Sequence, residues 1–193
     1  MMNPFFLVIF IALLIEYAIG VIANLFNLKS LSTKPPPALE GVYQSEEYRK
    51  SQEYLRANTR FDFVTSTFSL VVLLSFWFTG GFNYLDQAVR SWGFVPILSG
   101  LLYIGILVLG HSLIQLPFSI YRTFAIEERF GFNRTNPRTF ALDRIKGLAL
   151  AALIGAPLLS GILALFEYAG YHAWIYCWIA VTLFSLILQY VAP

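Results

Sequence analysis

The chain has few charged residues and very few of the residues that usually build catalytic or metal centres. Only 12% of its 193 residues are charged, whereas about 25% is usual in a soluble domain. It contains one cysteine, Cys177, and two histidines, His111 and His172. A disulfide framework or a cysteine-based metal site is therefore excluded within this sequence. The formal net charge of +2 is too small to indicate a nucleic-acid partner.

Apolar residues dominate the chain instead, at 58% of the total. They form runs long enough to cross a bilayer, because a hydrocarbon core of about 30 Å needs about 20 apolar residues in a helix. The sequence therefore predicts an all-α fold, a polytopic membrane bundle of five transmembrane helices with helical extensions into the cytoplasm. The predicted spans are residues 5–28, 61–82, 94–116, 145–166 and 171–192.

The basic residues indicate how these spans are oriented. Twelve of the thirteen Lys and Arg residues lie in the first and third connections, the second connection has only Arg90, and the fourth has none. Basic residues are retained on the cytoplasmic side of a membrane during insertion. We therefore predict an integral protein of a bacterial inner membrane or the endoplasmic reticulum. Its N-terminus lies outside, and its C-terminus and its first and third connections lie in the cytoplasm.

Three local patterns predict structure around the spans. Residues 44–60 are good helix formers with no breaker before the second span, which predicts one long helix that leaves the membrane. Asn136 and Pro137 are typical of the cap and first position of a helix that opens the fourth span. The spacing of Gly147, Ala151 and Gly155 predicts a tight contact with a neighbouring span.

Polar side chains recur at helical spacing inside four of the five spans. Spacings of three and four place each set on one helix face. An ionised residue at the centre of a span costs about 3 kcal/mol, so such a residue normally faces the bundle interior, a partner or water. We expect these faces to line a water-accessible cavity, and an equally open alternative is that they cap helix ends or hydrogen-bond between helices. The candidate cavity-lining residues are Glu16, Asn24, His111, Gln115 and Gln189, and the same stripes include Asp62, Ser69 and Arg122.

No complete catalytic motif is present in the sequence. A zinc protease of the His-Glu-x-x-His type needs two imidazoles one helical turn apart and a glutamate between them. His111 is followed by Ser112, and neither the glutamate nor the second histidine follows it. We therefore predict no catalytic residue and no metal or other cofactor bound by this chain itself.

Two groups of residues resemble the N-terminal domain of the CaaX prenyl protease 1 family. The first is the run Glu-Arg-Phe-Gly-Phe-Asn at residues 128–133, with Asp143 ten residues beyond Asn133 and Lys146 after it. The second is Tyr-Gln-Ser-Glu at residues 43–46, followed by Lys-Ser-Gln-Glu-Tyr at residues 50–54. The resemblance covers essentially the whole chain, in the order of both motifs and spans.

The resemblance implies a membrane zinc endopeptidase whose helices enclose a large chamber. Such enzymes cut peptides near the cytoplasmic leaflet, including the C-terminal tripeptide of prenylated proteins (CAAX-box processing). The family's zinc ligands and catalytic glutamate belong to a His-Glu-x-x-His helix and a downstream glutamate, and this sequence has neither.

We therefore expect residues 1–193 to be the N-terminal membrane domain of such a protease, without the catalytic domain and its zinc. The expected partners are the lipid bilayer, the C-terminal zinc protease domain of the same protein and, in the full-length enzyme, a peptide or prenylated-peptide substrate. Whether the chain acts as part of an enzyme stays open at this point. The alternative is a non-enzymatic integral membrane scaffold or carrier that kept this domain.

The matching residues of the third connection have two possible roles. Gly131 between two phenylalanines favours a tight turn, and Asp143 and Lys146 are spaced to pair on a helix. We expect this connection to dock against the missing zinc domain, and the alternative is a structural clasp between spans three and four. The candidate docking residues are Arg129, Gly131, Asn133, Asp143 and Lys146.

Overall fold

A computed structural model describes residues 4–32 and 45–191, and this part of the chain is almost entirely helical, with no strand. Helices α1 to α6 follow one another along the chain, with a π-helical turn after α4 and a 3₁₀ turn before α6. Their bounds are α1 Pro4–Ser30, α2 Ser45–Phe78, α3 Gly81–Ser91, α4 Pro96–Tyr121, the π-helical turn Arg122–Glu127, α5 Pro137–Tyr168, the 3₁₀ turn Gly170–His172 and α6 Ala173–Val191.

Five segments of the described chain are long and apolar enough to cross a membrane. They are α1, α2, α4 with its π-helical turn, α5, and the 3₁₀ turn with α6. The predicted fold class, a polytopic helical membrane bundle with five spans, is confirmed. The chain is therefore an integral membrane protein.

The second span continues into a long helical extension, as the sequence predicts. Helix α2 has 34 residues and is therefore about 51 Å long, well beyond the roughly 30 Å of a hydrocarbon core. The acidic residues Glu46 and Glu47 lie in its first turn, where a negative charge is favourable next to the exposed N–H groups. Glu46 also binds Arg49 one turn later, at 2.6 Å.

The short helix α3 is not evident from the hydropathy pattern, because it lies between two spans and mixes polar and apolar residues. It follows a turn at Gly80, whose φ of 77° favours glycine. Val89 is only 1% exposed, so the helix has one buried side. On its exposed side Arg90 Nε donates to both Asp86 carboxylate oxygens, at 2.9 and 2.8 Å. These bonds raise the pKa of the Arg90 guanidinium above its ordinary value.

The helices divide into two compact units. The first comprises the described parts of Met1–Phe82 and Ile114–Arg134, and the second those of Asn83–Leu113 and Thr135–Pro193. In the first unit α1 and α2 pack in opposite directions. The Phe6 ring lies 4.8 Å from that of Trp77 near one end, and Tyr17 Oη lies 2.7 Å from Thr67 Oγ1 further along.

The second unit is packed around the turn between α5 and α6. Ala173 is 2% exposed and Cys177 8%, and the Cys177 thiol lies 3.9 Å from the Ile162 carbonyl oxygen. Helix α4 approaches α5 closely at Gly100, where an added Cβ would lie 2.9 Å from Leu163 Cδ1. A larger residue at this point on α4 would require the Leu163 side chain to shift.

The opposite half of α5 is different, because every residue from 141 to 157 is exposed. The helix begins as predicted, with the Asn136 side chain accepting a hydrogen bond from the Thr139 N–H at 2.8 Å and Pro137 at the first position. The tight contact expected at Gly147 and Gly155 is not found, since no described atom lies within 4 Å of a Cβ added at either glycine. The small residue that meets a neighbouring helix in this unit is Gly100 on α4.

Candidate functional site

Two polar contacts join α2 to the end of α4 in the first unit. Gln115 Nε2 donates to Ser69 Oγ at 2.6 Å, and Arg122 forms an ion pair with Asp62. Asp62 precedes Ser69 by seven residues, and Gln115 precedes Arg122 by seven residues. The earlier residue of α2 therefore pairs with the later residue of the other segment, and the later with the earlier, as in two antiparallel helices. Seven residues bring a helix back to nearly the same face, so both contacts form on one side of each helix. We call these two contacts the polar ladder.

The groups of the polar ladder are satisfied by the chain itself. The Ser69 hydroxyl donates to the Thr65 carbonyl at 2.8 Å while accepting from Gln115. Thr65 Oγ1 donates to the Asp62 carbonyl at 3.2 Å. In lipid, an unsatisfied polar group costs several kcal/mol, so these contacts stabilise the helix pair and fix its register. This arrangement corresponds to the hydrogen-bonding alternative for Gln115 and for the stripe residues Asp62, Ser69 and Arg122.

Aromatic side chains surround the ion pair of the ladder. The Arg122 guanidinium carbon lies 5.6 Å from the Phe61 ring centroid, within the range of a cation–π contact. The Phe61 ring in turn lies 5.1 Å from Tyr121. Arg122 and Asp62 are nevertheless 40% and 41% exposed, so water or a further part of the protein can reach them.

The backbone changes from α-helix to π-helix directly at Arg122. The π-helical turn runs to Glu127 and packs on α2, with Ile126 only 8% exposed. The facing turn of α2 contains Thr59, which is buried and donates to the Leu55 carbonyl at 2.9 Å. π-Helical turns occur mostly as single insertions in α-helices, frequently at functional sites.

A compact loop follows the π-helical turn. The Glu127 carbonyl accepts the N–H groups of both Phe132 and Asn133, at 2.9 and 3.3 Å. This closure requires the left-handed backbone of Gly131, with a φ of 71°. Asn133 Nδ2 donates to Glu128 Oε2 at 2.8 Å. The tight turn predicted around Gly131 is present, and Asn133 braces it.

The loop is fastened to the extension of α2 by aromatic contacts. The Tyr54 ring lies 5.6 Å from Phe130 and 4.6 Å from Phe132, and Phe130 is 7% exposed. Lys50 Nζ lies 5.8 Å from the Phe132 ring centroid. The two sequence segments that carry the family resemblance therefore meet in space. We call this contact the aromatic clasp; it joins the third connection to α2, whereas the clasp considered from sequence joined spans three and four.

The remaining cavity candidates lie on three helices. In the first unit Glu16 is exposed and Asn24 half-buried on α1, and in the second unit His111 and Gln189 are exposed on α4 and α6. Within the described part of the first unit no hydrogen bond joins Glu16, Asn24 and Gln115 to one another, and within that of the second none joins His111 to Gln189. Gln115 therefore has a hydrogen-bond partner in Ser69. The carboxyl of Glu16 is exposed on the apolar helix α1.

The remaining docking candidates are exposed. Arg129 lies over the Phe130 ring at 5.6 Å. Asp143 and Lys146 are exposed on α5 and, within the described residues, form no ion pair with each other or with another residue. The pairing that their spacing allows is therefore not made in this structure.

The residues present do not fit a zinc ion. Among the described residues no group of three or more His, Cys, Asp or Glu side chains is close enough to hold a metal. The polar ladder consists of an ion pair and an amide–hydroxyl contact, and only Asp62 among its four members is a usual zinc ligand. What the polar ladder and the aromatic clasp provide is helix register and loop placement.

The sequence carries a signal for the polar ladder. Asp62 to Ser69 and Gln115 to Arg122 have the same seven-residue spacing on two consecutive spans. An acid and a base at matched positions of adjacent spans predict a pair directly. The aromatic clasp had no comparable signal, because Tyr54 and Phe132 are far apart in sequence and no periodicity relates them.

The polar ladder predicts a specific response to charge changes. D62N leaves Arg122 without its counter-charge, and we expect the free energy of unfolding in detergent to fall by about 1–2 kcal/mol, less than for a fully buried pair because water screens the site. The swapped variant D62R/R122D should recover most of this loss. D86N, which removes an ion pair within the single helix α3, is the control and should change stability little. A swapped variant no more stable than D62N would contradict an interhelical role for the pair.

The aromatic clasp predicts that G131A loosens the loop. The substitution forces alanine into a left-handed backbone at a cost of about 1–2 kcal/mol and brings a Cβ to 3.4 Å from Lys50 Nζ. Tryptic cleavage at Arg129 and Arg134 should therefore accelerate by about fivefold or more. G93A is the matched control, since Gly93 has the same φ of 71° and open space around it. Equal cleavage rates in wild type and G131A would show that the loop does not depend on this turn.

Comparison with known proteins relates this geometry to a family. A family model described as "CAAX prenyl protease N-terminal, five membrane helices" matches residues 24–193. The chain is 30% identical over 176 residues to a probable CAAX prenyl protease 1 of Schizosaccharomyces pombe, covering 84% of this chain and 37% of that protein. It is 31% identical over 174 residues to the CAAX prenyl protease 1 homolog of Mus musculus, covering 84% of this chain and 37% of the relative.

A solved structure has the same arrangement of helices. The crystal structure of S. mikatae Ste24p superposes with a TM-score of 0.87 at 26% sequence identity, covering 100% of this chain and 46% of that chain. The chain therefore spans less than half the length of these relatives. The match of the family model to most of the chain, together with the five spans, shows that the chain belongs to the CAAX prenyl protease family as its N-terminal membrane domain.

Proposed function

We propose that this chain forms the chamber wall of a CAAX-type zinc metalloendopeptidase. It would support cleavage of peptides, including prenylated ones, only when joined to a second half that carries His-Glu-x-x-His and the zinc. The observation that carries the proposal is that a family model for the N-terminal membrane domain matches residues 24–193, in a chain that superposes on 46% of Ste24p. The lack of a metal-binding cluster in the described residues is compatible with a zinc site in the second half.

In this proposal the chain's own residues position helices and exclude lipid. The polar ladder sets the register of α2 against the end of α4, and the aromatic clasp holds the loop after the π-helical turn. Glu16, His111 and Gln189 have exposed side chains within spans. Polar groups facing lipid without a partner are unfavourable, and an ionised carboxylate such as that of Glu16 costs about 3 kcal/mol there. We therefore propose that these side chains, with Asn24, face a water-accessible chamber.

The docking surface for the catalytic half would include Asp143. Its carboxylate is exposed near the start of α5 and has no ion-pair partner within the described residues, so it can pair with a basic group of the second half. Gly131 and Asn133 would support docking through the shape of the loop, because their backbone and side chain are engaged in the turn. Arg129, exposed at the same loop, would contribute a second charge. Lys146 lies further along α5, directly before the uncharged run of residues 147–166.

The orientation would place this loop in the cytoplasm. Six basic residues lie in each of the first and third connections, against one in the second and none in the fourth. The positive-inside rule then places the N-terminus outside and the C-terminus in the cytoplasm. The α2 extension and the loop that it holds would lie on the same, cytoplasmic side, where peptide substrates are presented.

Joining the chain to a catalytic half tests the proposed activity. We expect the chain alone to leave a prenylated CAAX peptide uncut, and a fusion to the part of S. mikatae Ste24p that the chain does not cover to cleave it. A metal chelator should abolish this cleavage, and a fusion with glutamine in place of the His-Glu-x-x-His glutamate should be inactive. A monodisperse fusion that binds zinc and cleaves no peptide would contradict the proposal.

Co-expression of the two halves as separate chains tests the docking surface. D143A removes one proposed exposed ion pair, and we expect the fraction of halves that co-purify to fall by up to about fivefold. E167A is the matched control, because Glu167 is an exposed acid near the other end of the same helix. Equal effects of D143A and E167A would remove Asp143 from the docking surface without affecting the proposed activity.

Cysteine labelling in sealed vesicles tests the orientation. In a C177A background, R134C should react with a membrane-impermeant maleimide only from the cytoplasmic side, and Y84C only from the other side. Tyr84 is 76% exposed on α3, so its position is accessible to the reagent. Labelling of R134C from the external side would reverse the proposed topology.

A further inference from the structure

One face of α5 carries two basic side chains together with exposed apolar residues. Arg138 and Lys146 are eight residues apart and therefore lie within about 80° of each other around the helix. Leu142, Ile145 and Leu153 share this face, with exposures of 44%, 63% and 73%. We call these five residues the basic-apolar face.

The depth of this face in a membrane follows from the length of the apolar run. Residues 147–166 contain no charged side chain and number twenty, which corresponds to about 30 Å of helix, the thickness of a hydrocarbon core. Lys146 then lies at the level of the lipid headgroups, and Arg138 lies about 12 Å further out along the axis. Long basic side chains bend toward the membrane boundary, so both can approach one headgroup.

The charges on this face have no counterpart within the described chain. Neither Arg138 nor Lys146 forms an ion pair with a described residue. The nearby acid Asp143 lies about 140° around the helix from Arg138 and about 60° from Lys146, and it forms no ion pair with either of them. All residues from 141 to 157 are exposed, so no described helix covers the face.

We propose that the basic-apolar face binds an anionic phospholipid. The phosphate and the further negative charge of its headgroup would pair with Arg138 and Lys146. One acyl chain would lie along Ile145 and Leu153. Charge complementarity favours a lipid with net negative charge over a zwitterionic one, because the face carries two positive charges and the nearby acid Asp143 pairs with neither. The exposed apolar residues between the two charges and beyond Lys146 favour a lipid over a soluble anion.

Native mass spectrometry of the chain released from mixed nanodiscs tests this assignment. The nanodiscs contain equal amounts of phosphatidylglycerol and phosphatidylcholine, and we expect the wild type to retain phosphatidylglycerol preferentially. A basic residue near an anionic surface strengthens binding about fivefold. K146Q should therefore lower the enrichment by about fivefold, and R138Q/K146Q should bring the two lipids close to equal retention.

R144Q is the matched control, because Arg144 lies at nearly the same depth about 120° around the helix from Arg138, away from the basic-apolar face. It should keep the wild-type enrichment, and an equal loss in R144Q and K146Q would indicate a diffuse charge effect and overturn the proposal. Unchanged enrichment in R138Q/K146Q would overturn it as well. Displacement of the retained lipid by millimolar inorganic phosphate would reassign the face to a free anion.

The salt dependence of lipid retention by the wild type tests the proposal without any variant that could misfold. Raising the salt concentration before release should lower the phosphatidylglycerol enrichment, because screening weakens an exposed ionic contact. An enrichment that does not respond to salt would exclude pairing of the headgroup with Arg138 and Lys146.

Discussion

The structure depends most on the requirement that polar groups within lipid find partners. The chain meets this requirement where α2 meets the end of α4, through Asp62 with Arg122 and Ser69 with Gln115. A shift of one helix against the other by a single residue would separate both pairs at once. Apolar side chains alone would tolerate such a shift, because lipid tails are as apolar as leucine. The polar ladder therefore selects one register among several of similar apolar packing.

The same contact determines where the third connection begins. Arg122 is both the last member of the ladder and the first residue of the π-helical turn, so the change in helix type occurs at a point held by an ion pair. The turn and the left-handed Gly131 then bring Phe130 and Phe132 onto Tyr54 of the α2 extension. One helix thus supports the connection at two points: Asp62 near the membrane and Tyr54 beyond it. This double attachment is why α2 must continue past the bilayer.

The sequence predicted those features that depend on local chemistry. The length of the apolar runs and their lack of charge predict five spans. Asn136 and Pro137 predict the start of α5. Each of these signals lies within one continuous stretch of sequence. The structure corrects the expectation at Gly147 and Gly155, since small residues permit a close approach without supplying the neighbour, and Gly100 meets Leu163 instead. The contacts of Tyr54 and Gln115 depend on which helices are adjacent, and a single sequence does not encode that adjacency in any short pattern. Of the predicted site residues, Gly131 lies in the tight turn that its sequence context predicts, whereas the docking roles and the roles of Glu16, His111 and Gln189 stay predictions.

The distribution of polar groups on α1 supports its proposed place in a chamber wall. Tyr17 faces α2 and pairs with Thr67, while its neighbour Glu16 lies about 100° around the helix and is exposed. A helix within a self-sufficient bundle would keep its lone carboxyl among its own partners, because lipid contact is costly. In α1 the hydroxyl faces the chain's own helix and the carboxyl faces away from it. In the proposed enzyme, water or a surface of the second half would lie on that side; the chain spans less than half the length of the relatives that it matches.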